Sequence, residues 1–579
     1  MPREQAEPVL LRMVETLRHE NFYVTGTWVD EALGVYVGWV ARKNSSCESM
    51  PLRDERGDVV LVFSGEEFPE PGTERRLEDE QNPSFLERLN GRFHGLLTDR
   101  RRGTATLFND RYGMHRVYYH QSPDAFYFAA EAKAILAVRP ELRRIDPRGL
   151  GEFVACGCVL EDRTLFDGVR LLPGAAAWVF GRGSVERRGT YFHRRAWEDQ
   201  PRLEPEPFYQ EIRSVFTRNL SRYFGSGERI AMSLTGGLDT RMIMAWQRPR
   251  PGALPCYTFG GMIRDCRDVV VARQVARACR QPYEVIPVAD EFLSRFPHYA
   301  ERTIYLTDGC VDVGRSPDLY LNERARDIAP VRMTGNYGGE ILRGVRTFKP
   351  AAPLAGLFRP DVLPYLRQAA ETYTGALEGH PLSFAVFKQI PWNHFGVLAL
   401  EETQLALRSP YLDNDLVRTV FRAPPAALGT NDVSLRLIAE GDATLRRIRT
   451  DRGLAGDGGL RSTLARALLE VSFKAEYAYD VGMPQSLARA DHRVSFLGLE
   501  RLFLGRHKFH HFRVWYRDVL SDYVRDVLLD ARTLARPYVD RKALETVVQD
   551  HLEGRRNHTA EIHKMLTLEL VHRLLLDSR

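Results

Sequence analysis

The sequence predicts an α/β protein in two parts, with a layered αβ or sandwich-type N-terminal domain and a C-terminal domain built on a parallel sheet. Residues 1–195 contain many short apolar runs separated by turn residues, with few helical patterns, which indicates such a layered domain. After residue 207, apolar strand-like runs alternate with longer helical patterns, which is typical of βαβ units. A glycine turn joins one of these strands to the next helix near residue 236.

The N-terminal elements follow from apolar runs that are bounded by turns such as Arg102-Gly103 and Pro173-Gly174. Strands are predicted at 34–39, 59–63, 104–108, 116–119, 126–129 and 175–180. Helices are predicted at 8–19, 85–89 and 131–138. We therefore expect this part of the chain to be mainly β.

A charged, proline-containing linker is predicted at 196–207, and it divides a domain at 1–195 from one at 208–579. The C-terminal strands are predicted at 229–234, 254–259, 283–287 and 331–334. Helices are predicted at 209–223, 240–247, 267–280, 290–304 and 319–327. Ligands of parallel sheets bind at the carboxyl ends of strands, so the loops after these strands are expected to form the site.

The composition excludes several classes of protein. The 579 residues are 44% hydrophobic and 27% charged, as in an ordinary globular protein. The net charge of +5 indicates no particular partner, and arginine runs such as 100–102 lack interleaved aromatic residues, so nucleic-acid binding is not expected. No long apolar stretch, no apolar signal core and only seven cysteines favour a cytoplasmic protein without a membrane segment. Oligomeric state is not readable from the sequence.

Residues 230–246 combine a strand, a glycine turn and a helix start in a pattern that suits an anion. Gly236 and Gly237 let the backbone approach a ligand closely, and unpaired amides at the helix start favour negative charge. The hydroxyls of Thr235 and Thr240 can add hydrogen bonds to phosphate oxygens. Asp239 has the wrong charge for phosphate, which suggests a bridging divalent cation. The lysine and spacing of an ordinary P-loop are missing.

This segment resembles the pyrophosphate loop, S-G-G-x-D-S, of the asparagine synthetase family and other ATP pyrophosphatases. Residues 85–93 are similar to the F-L-x-x-L-x-G-x-F segment of that family's glutaminase domain, and residues 109–134 follow its R-D-x-x-G and F-A-S-E-x-K-A pattern. The resemblance implies a glutaminase-like αββα domain of the N-terminal-nucleophile type at 1–195. It implies an ATP-pyrophosphatase domain, similar to adenine nucleotide α-hydrolases, at 208–579.

The resemblance also implies a nucleotide site. Phe259 ends a strand similar to the family's T-F-T-I-G-F, and residues 334–340 occupy the place of S-G-E-G-S-D-E, with Asn336 and Gly339 departing from it. The expected ATP-binding residues are Leu234, Thr235, Gly236, Gly237, Asp239, Thr240, Phe259, Thr334 and Gly335. The expected magnesium ligands are Asp239 and Glu340.

Two further C-terminal segments resemble the family. Residues 408–413 are similar to R-x-P-F-L-D, and residues 445–453 occupy the place of a segment that carries a catalytic lysine but has arginines here. Asp239 and Arg449 are the candidate catalytic residues, and Arg449 is chosen by its position only. The alternative is that the arginines of this segment are solvated residues at a helix end. Residues 507–511, rich in histidine, lack metal-spaced companions and are expected to be solvated or interfacial. His558 and His563 are expected to cap or pack.

The glutaminase chemistry is predicted to be absent. In the family, a cysteine exposed by removal of Met1 attacks glutamine and uses its own amine as base, whereas this chain has Pro2 and its first cysteine is Cys47. The family's N-G-E, whose asparagine helps to hold the oxyanion, reads Ser64-Gly65-Glu66 here. A misassigned start that omits the cysteine is the alternative. We therefore expect no glutaminase nucleophile.

The resemblance implies an ATP-dependent ligase that activates a carboxylate as its AMP ester, releases pyrophosphate and forms an amide with ammonia or another amine. The cofactors implied are ATP and Mg²⁺. Aspartate, a sugar acid or a surface-polymer precursor are possible carboxylates. The alternatives are an intramolecular cyclase of the β-lactam synthetase or lasso-peptide type, and a non-catalytic scaffold derived from the family.

Overall fold

The computed structural model describes residues 2–70, 85–181, 183–225, 227–454, 460–482 and 504–577, together with residues 485 and 500. Antiparallel sheets make up the N-terminal part and a parallel sheet lies in the C-terminal part. This arrangement confirms the predicted α/β fold class. Within the described ranges, no helix has the length and apolar character needed to cross a membrane.

The N-terminal strands form three antiparallel groups, with the order β1-β2, β11-β10-β6-β5-β4-β3 and β8-β7-β9. They are β1 (Tyr23–Asp30), β2 (Val35–Arg42), β3 (Leu52–Arg53), β4 (Val59–Glu67), β5 (Gly91–Asp99), β6 (Thr104–Asn109), β7 (Tyr118–Gln121), β8 (Phe126–Ala129), β9 (Arg170–Leu171), β10 (Ala176–Gly181) and β11 (Ser184–Thr190). The inner face of the six-stranded sheet and the β1-β2 hairpin share an apolar cluster that contains Trp28, Val62 and Leu107. Burial of such side chains drives the two layers together.

The C-terminal sheet has the order β14-β13-β12-β15-β16, and every neighbouring pair is parallel. Its strands are β12 (Ile230–Ser233), β13 (Cys256–Gly260), β14 (Tyr283–Pro287), β15 (Val331–Met333) and β16 (Ala406–Arg408). All four residues of β12 are buried, as expected for a parallel sheet covered on both faces.

Helices surround both sheets. The α-helices are Arg3–Thr16, Phe85–Arg88, Ala132–Val138, Pro147–Cys156, Arg195–Glu198, Pro205–Phe224, Asp239–Gln247, Arg267–Ala278, Asp290–Ser294, Phe296–Leu306, Ser316–Ile328, Gly338–Arg343, Leu363–Ala376, Pro381–Phe384, Phe395–Glu402, Asn414–Val420, Asp432–Gly441, Ala443–Arg447, Leu460–Tyr477, Phe512–Arg517, Ser521–Leu528, Ala531–Leu534, Arg541–Leu552 and Thr559–Val571. Short 3₁₀ turns occur at Ser46–Ser49, Pro140–Leu142, Val313–Arg315, Pro360–Val362 and Pro410–Leu412. The π-helical segments are Ala385–His394, Ala478–Gly482 and His572–Leu576.

Several elements differ from the predictions for physical reasons. The predicted helix 290–304 is two helices, because Pro297 lies in the first turn of Phe296–Leu306 and disfavours helical geometry at the residue before it. The predicted strand 116–119 begins only at Tyr118, since the Arg116 guanidinium stacks 3.8 Å from the Phe395 ring. Strands β1, β3, β5, β9, β11 and β16 and the helix Pro147–Cys156 were not predicted, and β16 has only three residues.

The segment 196–207 is not an open linker. The helix Arg195–Glu198 buries Trp197, and the helix Pro205–Phe224 begins within the same segment. Only residues 199–204 lack a helix or strand. The chain therefore passes between the two parts through a partly helical segment that is anchored by Trp197 and is otherwise mostly exposed.

Asp413 joins the two parts of the chain from a buried position. Its carboxylate caps the helix Asn414–Val420, accepts 2.8 Å from Asn90 Nδ2 of the N-terminal part, and accepts 2.6 Å from Asn219 Nδ2. The aspartate of this R-x-P-F-L-D-like segment therefore acts by capping and packing. The halves of the molecule share one hydrogen-bonded core at this point.

Candidate active site

The predicted phosphate loop, residues 234–238, lies at the carboxyl edge of the parallel sheet. It connects the central strand β12 to the helix Asp239–Gln247. The Leu234 amide donates to the Tyr257 carbonyl at 2.8 Å, and Thr258 Oγ1 donates to the Leu234 carbonyl at 2.9 Å. Strand β13 therefore fixes the start of the loop. Because the strands are parallel, the segments after β13 and β15 reach the same edge.

A second loop, residues 334–337, packs directly against the first. A Cβ atom on Gly335 would lie 2.8 Å from Asp239 Cβ, and one on Gly338 would lie 2.5 Å from Asp239 Cγ. Only glycine permits this approach. The structure therefore brings Asp239, Thr334 and Gly335 to one place, as their positions after β12 and β15 suggest.

The R-x-P-F-L-D-like segment holds both loops from a third side. Tyr411 Oη donates to the Asp239 carbonyl at 2.7 Å, and Ser409 Oγ donates to the Asn336 carbonyl at 2.6 Å. Tyr411 is fully buried. This segment therefore positions the loops by hydrogen bonds to their backbone.

Arg343 binds the Asp239 carboxylate in a two-pronged arrangement that the sequence did not suggest. Nη1 donates to Oδ1 at 2.8 Å and Nη2 donates to Oδ2 at 2.7 Å, the geometry of a strong charge-assisted pair. Burial raises the pKa of Asp239, and Arg343 opposes that rise. Burial acts to lower the pKa of Arg343, but the bonds to Asp239 outweigh it and the pKa is raised.

The predicted magnesium ligands Asp239 and Glu340 both have partners within the protein. Both Asp239 oxygens are bound by Arg343, and Glu340 Oε1 lies 3.2 Å from His394 Nε2. Across the described ranges, no group of three or more His, Cys, Asp or Glu side chains is placed to hold a metal. Mg²⁺ needs carboxylate oxygens that are available to it, whereas both Asp239 oxygens are engaged by Arg343 and Glu340 Oε1 faces an imidazole.

Internal partners also occupy the amides and hydroxyls of the loop. The Gly236 amide donates to Asp268 Oδ1 at 2.8 Å, and the Gly237 amide donates to Thr235 Oγ1 at 3.4 Å. The hydroxyls of Thr235 and Thr240 lie 3.4 Å apart. The phosphate loop is thus already folded, and the amides of Gly236 and Gly237 have acceptors within the protein.

An acidic pair flanks this loop. The Asp451 amide donates to the Gly236 carbonyl at 3.2 Å, and a Cβ on Gly236 would lie 2.7 Å from Asp451 Cβ. Burial raises the pKa of Asp268 to about 6, with repulsion from Asp451 as the second cause. Asp268 therefore carries a partial proton near neutral pH while it holds the loop amide.

Arg449, the predicted catalytic arginine, is exposed, and the contacts of the described residues do not connect it to the loop. Arg241 makes that connection instead. It is fully buried, donates to the Ile448 carbonyl, and has Nη2 at 3.4 Å from the Gly236 carbonyl. Burial lowers the pKa of Arg241 to about 10. Its place in a mainly apolar helix hid this role in the sequence.

Phe259 lies at the end of β13 and is half-buried. The Arg332 guanidinium lies 4.9 Å from the centre of its ring, and the Phe509 ring centre lies 6.4 Å away. Arg332 also donates to Glu401 Oε1 at 2.8 Å. The predicted adenine-side position is therefore an aromatic ring between a cation and a second ring.

Residues 507–511 are predicted to be solvated or interfacial, and burial of three of them contradicts the solvated alternative. His507, Lys508 and His511 are buried, and Lys508 Nζ pairs with Asp480. The amide of His507 donates to Glu476 Oε2 at 2.7 Å. The acidic partners, Glu476 and Asp480, lie about 30 residues earlier in the chain. The spacing of residues within the histidine run therefore could not reveal them. His563 packs, as predicted, with Nδ1 2.9 Å from Tyr516 Oη.

The N-terminal positions that resemble a glutaminase site are also occupied. Ser64 Oγ lies 3.0 Å from His115 Nε2, and Glu66 pairs with Arg408 of strand β16. Cys47 Sγ donates to the Gly65 carbonyl at 3.5 Å. Glu66 therefore contributes to the contact between the two parts of the molecule.

Two family models match other parts of the chain. A family model described as a glutamine amidotransferase domain matches residues 75–192, and one described as asparagine synthase matches residues 503–573. Both matches support a resemblance of this chain to the asparagine synthetase family. The first match falls on the antiparallel sheets and the second on the C-terminal helices.

Two relatives carry the family name. A protein of Methanocaldococcus jannaschii, named as a putative glutamine-hydrolyzing asparagine synthetase 2, is 21% identical over 325 residues, which are 51% of this chain and 60% of that protein. The glutamine-hydrolyzing asparagine synthetase 3 of Bacillus subtilis is 27% identical over 182 residues, which are 30% of this chain and 28% of that protein. The chain thus spans less than two thirds of the length of each family member.

Proposed function

We propose that this protein is an ATP-dependent ligase that activates a carboxylate as its AMP ester and forms an amide with release of AMP and pyrophosphate. The observation that carries the proposal is the meeting of the 234–238 and 334–337 loops against Asp239 at the carboxyl edge of the sheet. Loops at this edge bind ligands in open parallel sheets, and a helix start with glycine-flanked amides suits phosphate groups.

In the proposed reaction, a carboxylate oxygen attacks the α-phosphorus of ATP and the bond to pyrophosphate breaks. An amine then attacks the acyl carbon and AMP leaves with the bonding electron pair. The amides of Gly236 and Gly237 would exchange their internal acceptors for phosphate oxygens. They would then donate hydrogen bonds to the departing pyrophosphate and stabilise its charge. Such preorganised donors lower the barrier mainly by electrostatic stabilisation.

The Arg343 guanidinium is a cation of the protein itself, and its position at Asp239 supports an electrostatic role for it. Its guanidinium balances the carboxylate charge beside the loop, so the phosphates would not meet an unpaired anion there. Arginine stays protonated at neutral pH and binds phosphate oxygens well. We assign Asp239 to holding Arg343 in place, and not to holding a metal ion.

We further propose that the enzyme uses ammonia or another amine without efficient glutamine hydrolysis. Ser64 stands where the family has an oxyanion asparagine, and its hydroxyl is engaged by His115. The Cys47 thiol donates to the Gly65 carbonyl at 3.5 Å, and an internal cysteine has no free α-amine of its own to serve as the base. Aspartate, a sugar acid or a polymer precursor are candidate carboxylates, and an intramolecular cyclisation is the alternative reaction.

One observation favours a second candidate, a nucleotide-responsive scaffold without ligase activity. Arg343 on Asp239 and Asp268 on the Gly236 amide satisfy the loop internally. ATP must displace the second of these contacts to use the amide. A protein that had lost catalysis would keep the loop in such a closed arrangement.

ATP–[³²P]pyrophosphate exchange with a panel of carboxylates tests the ligase proposal. We expect exchange that depends on one class of carboxylate and falls at least tenfold in Arg343→Met. The control is Asp522→Asn, an exposed carboxylate far from the loops (87% exposed), which should exchange like the wild type. ATP binding without any exchange would favour the scaffold, and glutamine-dependent ammonia release would contradict the proposed nitrogen source.

A further inference from the structure

A large cavity lies away from the phosphate loop, mainly within the N-terminal part, with residues such as Phe395, Glu402 and Arg408 of the C-terminal part at its wall. It encloses about 1310 Å³ between the six-stranded sheet, the β1-β2 hairpin and the helix Arg3–Thr16. We call this cavity the N-terminal chamber. Its volume exceeds the roughly 300–1,000 Å³ of ordinary small-molecule pockets. It is therefore large enough for a ligand well beyond the size of an amino acid.

One end of the chamber is polar because of the register of two strands. In the pairing of β4 with β5, Ser64 lies opposite His94 and Glu66 lies opposite Arg92. Directly opposite residues, and residues two apart on one strand, share a face of a sheet. These four side chains therefore form one patch, and all four line the chamber.

Three buried polar atoms of this patch have no hydrogen-bond partner among the described residues. They are Glu66 Oε2, Arg92 Nη1 and His94 Nδ1. Buried polar atoms are normally paired, because an unpaired one costs about 1–3 kcal/mol. Their shared position at one end of a cavity indicates a bound group that both accepts and donates hydrogen bonds.

The charges of the patch are already balanced, which favours an uncharged group. Glu66 pairs with Arg408, and Arg92 Nη2 lies 2.7 Å from Glu402 Oε1. The ring of His94 stacks on His115 with 4.4 Å between centres. Burial lowers the pKa of both imidazoles, that of His115 to about 3. A charged head group would find no unpaired countercharge here.

The rest of the chamber wall is apolar. On the same face of the sheet, Val62 lies opposite Leu96, and the helix Arg3–Thr16 contributes Leu10 and Met13. Phe126 of β8 also lines this region. Apolar area of this kind binds hydrocarbon at about 25 cal/mol per Å² buried.

We propose that the N-terminal chamber binds an amphipathic small molecule with an uncharged hydroxyl or carboxamide head at Glu66, Arg92 and His94 and an apolar body against Val62, Leu96 and the helix Arg3–Thr16. The proposal rests on the chamber and is independent of the ATP reaction. The polar end also touches Arg408, which precedes the Ser409 and Tyr411 that hold the phosphate loops. The ligand would therefore bind beside the connection between the two parts of the protein.

Isothermal titration of the full-length protein with octanamide and 1-octanol tests the proposal, with sodium octanoate and L-glutamine as comparison compounds. We expect the two neutral amphiphiles to bind at least tenfold more tightly than either comparison compound. Equal binding of octanoate would contradict the uncharged head, and equal binding of L-glutamine would contradict the apolar body. No binding of either neutral amphiphile would overturn the proposal.

Two variants test the site itself. Val62→Phe fills the apolar end and should weaken octanamide binding at least tenfold, whereas the same change at Val471, which is 65% exposed, should leave it unchanged. His94→Phe keeps an aromatic ring on His115 but removes Nδ1, and should weaken binding about five- to tenfold. If Val62→Phe does not fold, the His94→Phe variant still tests the site. Unaltered octanamide binding in that variant would contradict the proposed position of the head group. ATP–pyrophosphate exchange measured in parallel separates this result from the proposed ligase activity.

Discussion

The guanidinium of Arg343 holds both carboxylate oxygens of Asp239, at 2.8 and 2.7 Å, across a separation of 104 residues. The pair joins the two loops that converge at the carboxyl edge of the parallel sheet. It occupies the carboxylate that the sequence suggested as a magnesium ligand. The electrostatics of the site therefore depend on a protein cation.

Arg343→Met should destabilise the protein by about 2–3 kcal/mol, because it leaves a mostly buried Asp239 carboxylate without its partner. We also expect the variant to gain a stabilising response to millimolar MgCl₂, since the freed carboxylate can then bind the ion. Differential scanning calorimetry with and without MgCl₂ measures both effects. The double variant Asp239→Asn/Arg343→Met is the control and should lose the magnesium response. A wild-type protein with the same response would contradict the pairing argument.

Asp268→Asn should stabilise the protein above pH 6. The folded-state pKa of Asp268 is raised to about 6 from 3.8, so the folded state binds more protons than the unfolded state between these values. Its contribution to stability therefore falls as pH rises from about 4 to about 6 and stays low above that range. Asparagine keeps the acceptor for the Gly236 amide and removes the charge.

We expect a gain on the order of 1–3 kcal/mol at pH 7.5 and a much smaller gain at pH 4.5, from urea unfolding at each pH. Asp522→Asn is the exposed control and should change little at either pH. A gain that is equal at both pH values would show that the raised pKa is not its cause.

Gly338→Ala should disrupt the contact between the two loops. Its Cβ would lie 2.5 Å from Asp239 Cγ, so one of the loops must move. We expect a loss of about 1–3 kcal/mol in the free energy of unfolding and at least tenfold weaker ATP binding by equilibrium dialysis. Gly375→Ala, where a Cβ meets nothing within 4 Å, is the matched control and should be neutral or slightly stabilising in its helix. Equal effects of both changes would reject the close-approach argument.

Asp413→Ala should loosen the junction between the two parts of the chain. The change removes a helix cap and leaves the amides of Asn90 and Asn219 without their acceptor, so we expect a loss of about 3–4 kcal/mol. Urea unfolding and limited proteolysis measure the effect. Asp540→Ala, which removes only the cap of the helix Arg541–Leu552, should cost about 1 kcal/mol. Similar losses in both variants would show that Asp413 acts only as a cap.

The local signals of the sequence predicted much of the fold. The bounds 126–129 and 283–287 are those of β8 and β14, because apolar β-branched and aromatic runs between turn residues have few other solutions. The glycine loop after β12 was predicted from equally local signals. By contrast, β16 has three residues, which are too few for a periodic signal. Strand β5 was also missed, and it directly follows the short helix Phe85–Arg88.

The candidate site was predictable only in part. Positions 234–240 and 334–335 do meet, because both follow parallel strands of one sheet. Arg449 was chosen by position and is exposed, whereas Arg241 and Arg343 make the contacts. No spacing in the chain indicates which of its arginines reaches a given carboxylate.

The sequence by itself predicted the two-part α/β architecture, the resemblance to a family and the glycine loop after β12, because hydrophobic periodicity and glycine turns act through neighbouring residues. Only the tertiary structure decided the partners of that loop, Arg343 for Asp239 and Asp268 for the Gly236 amide. It also decided that His507, Lys508 and His511 are buried and that a chamber remains between the N-terminal layers. Ion pairs and cavities depend on which distant segments meet, and that is set by packing of the whole chain.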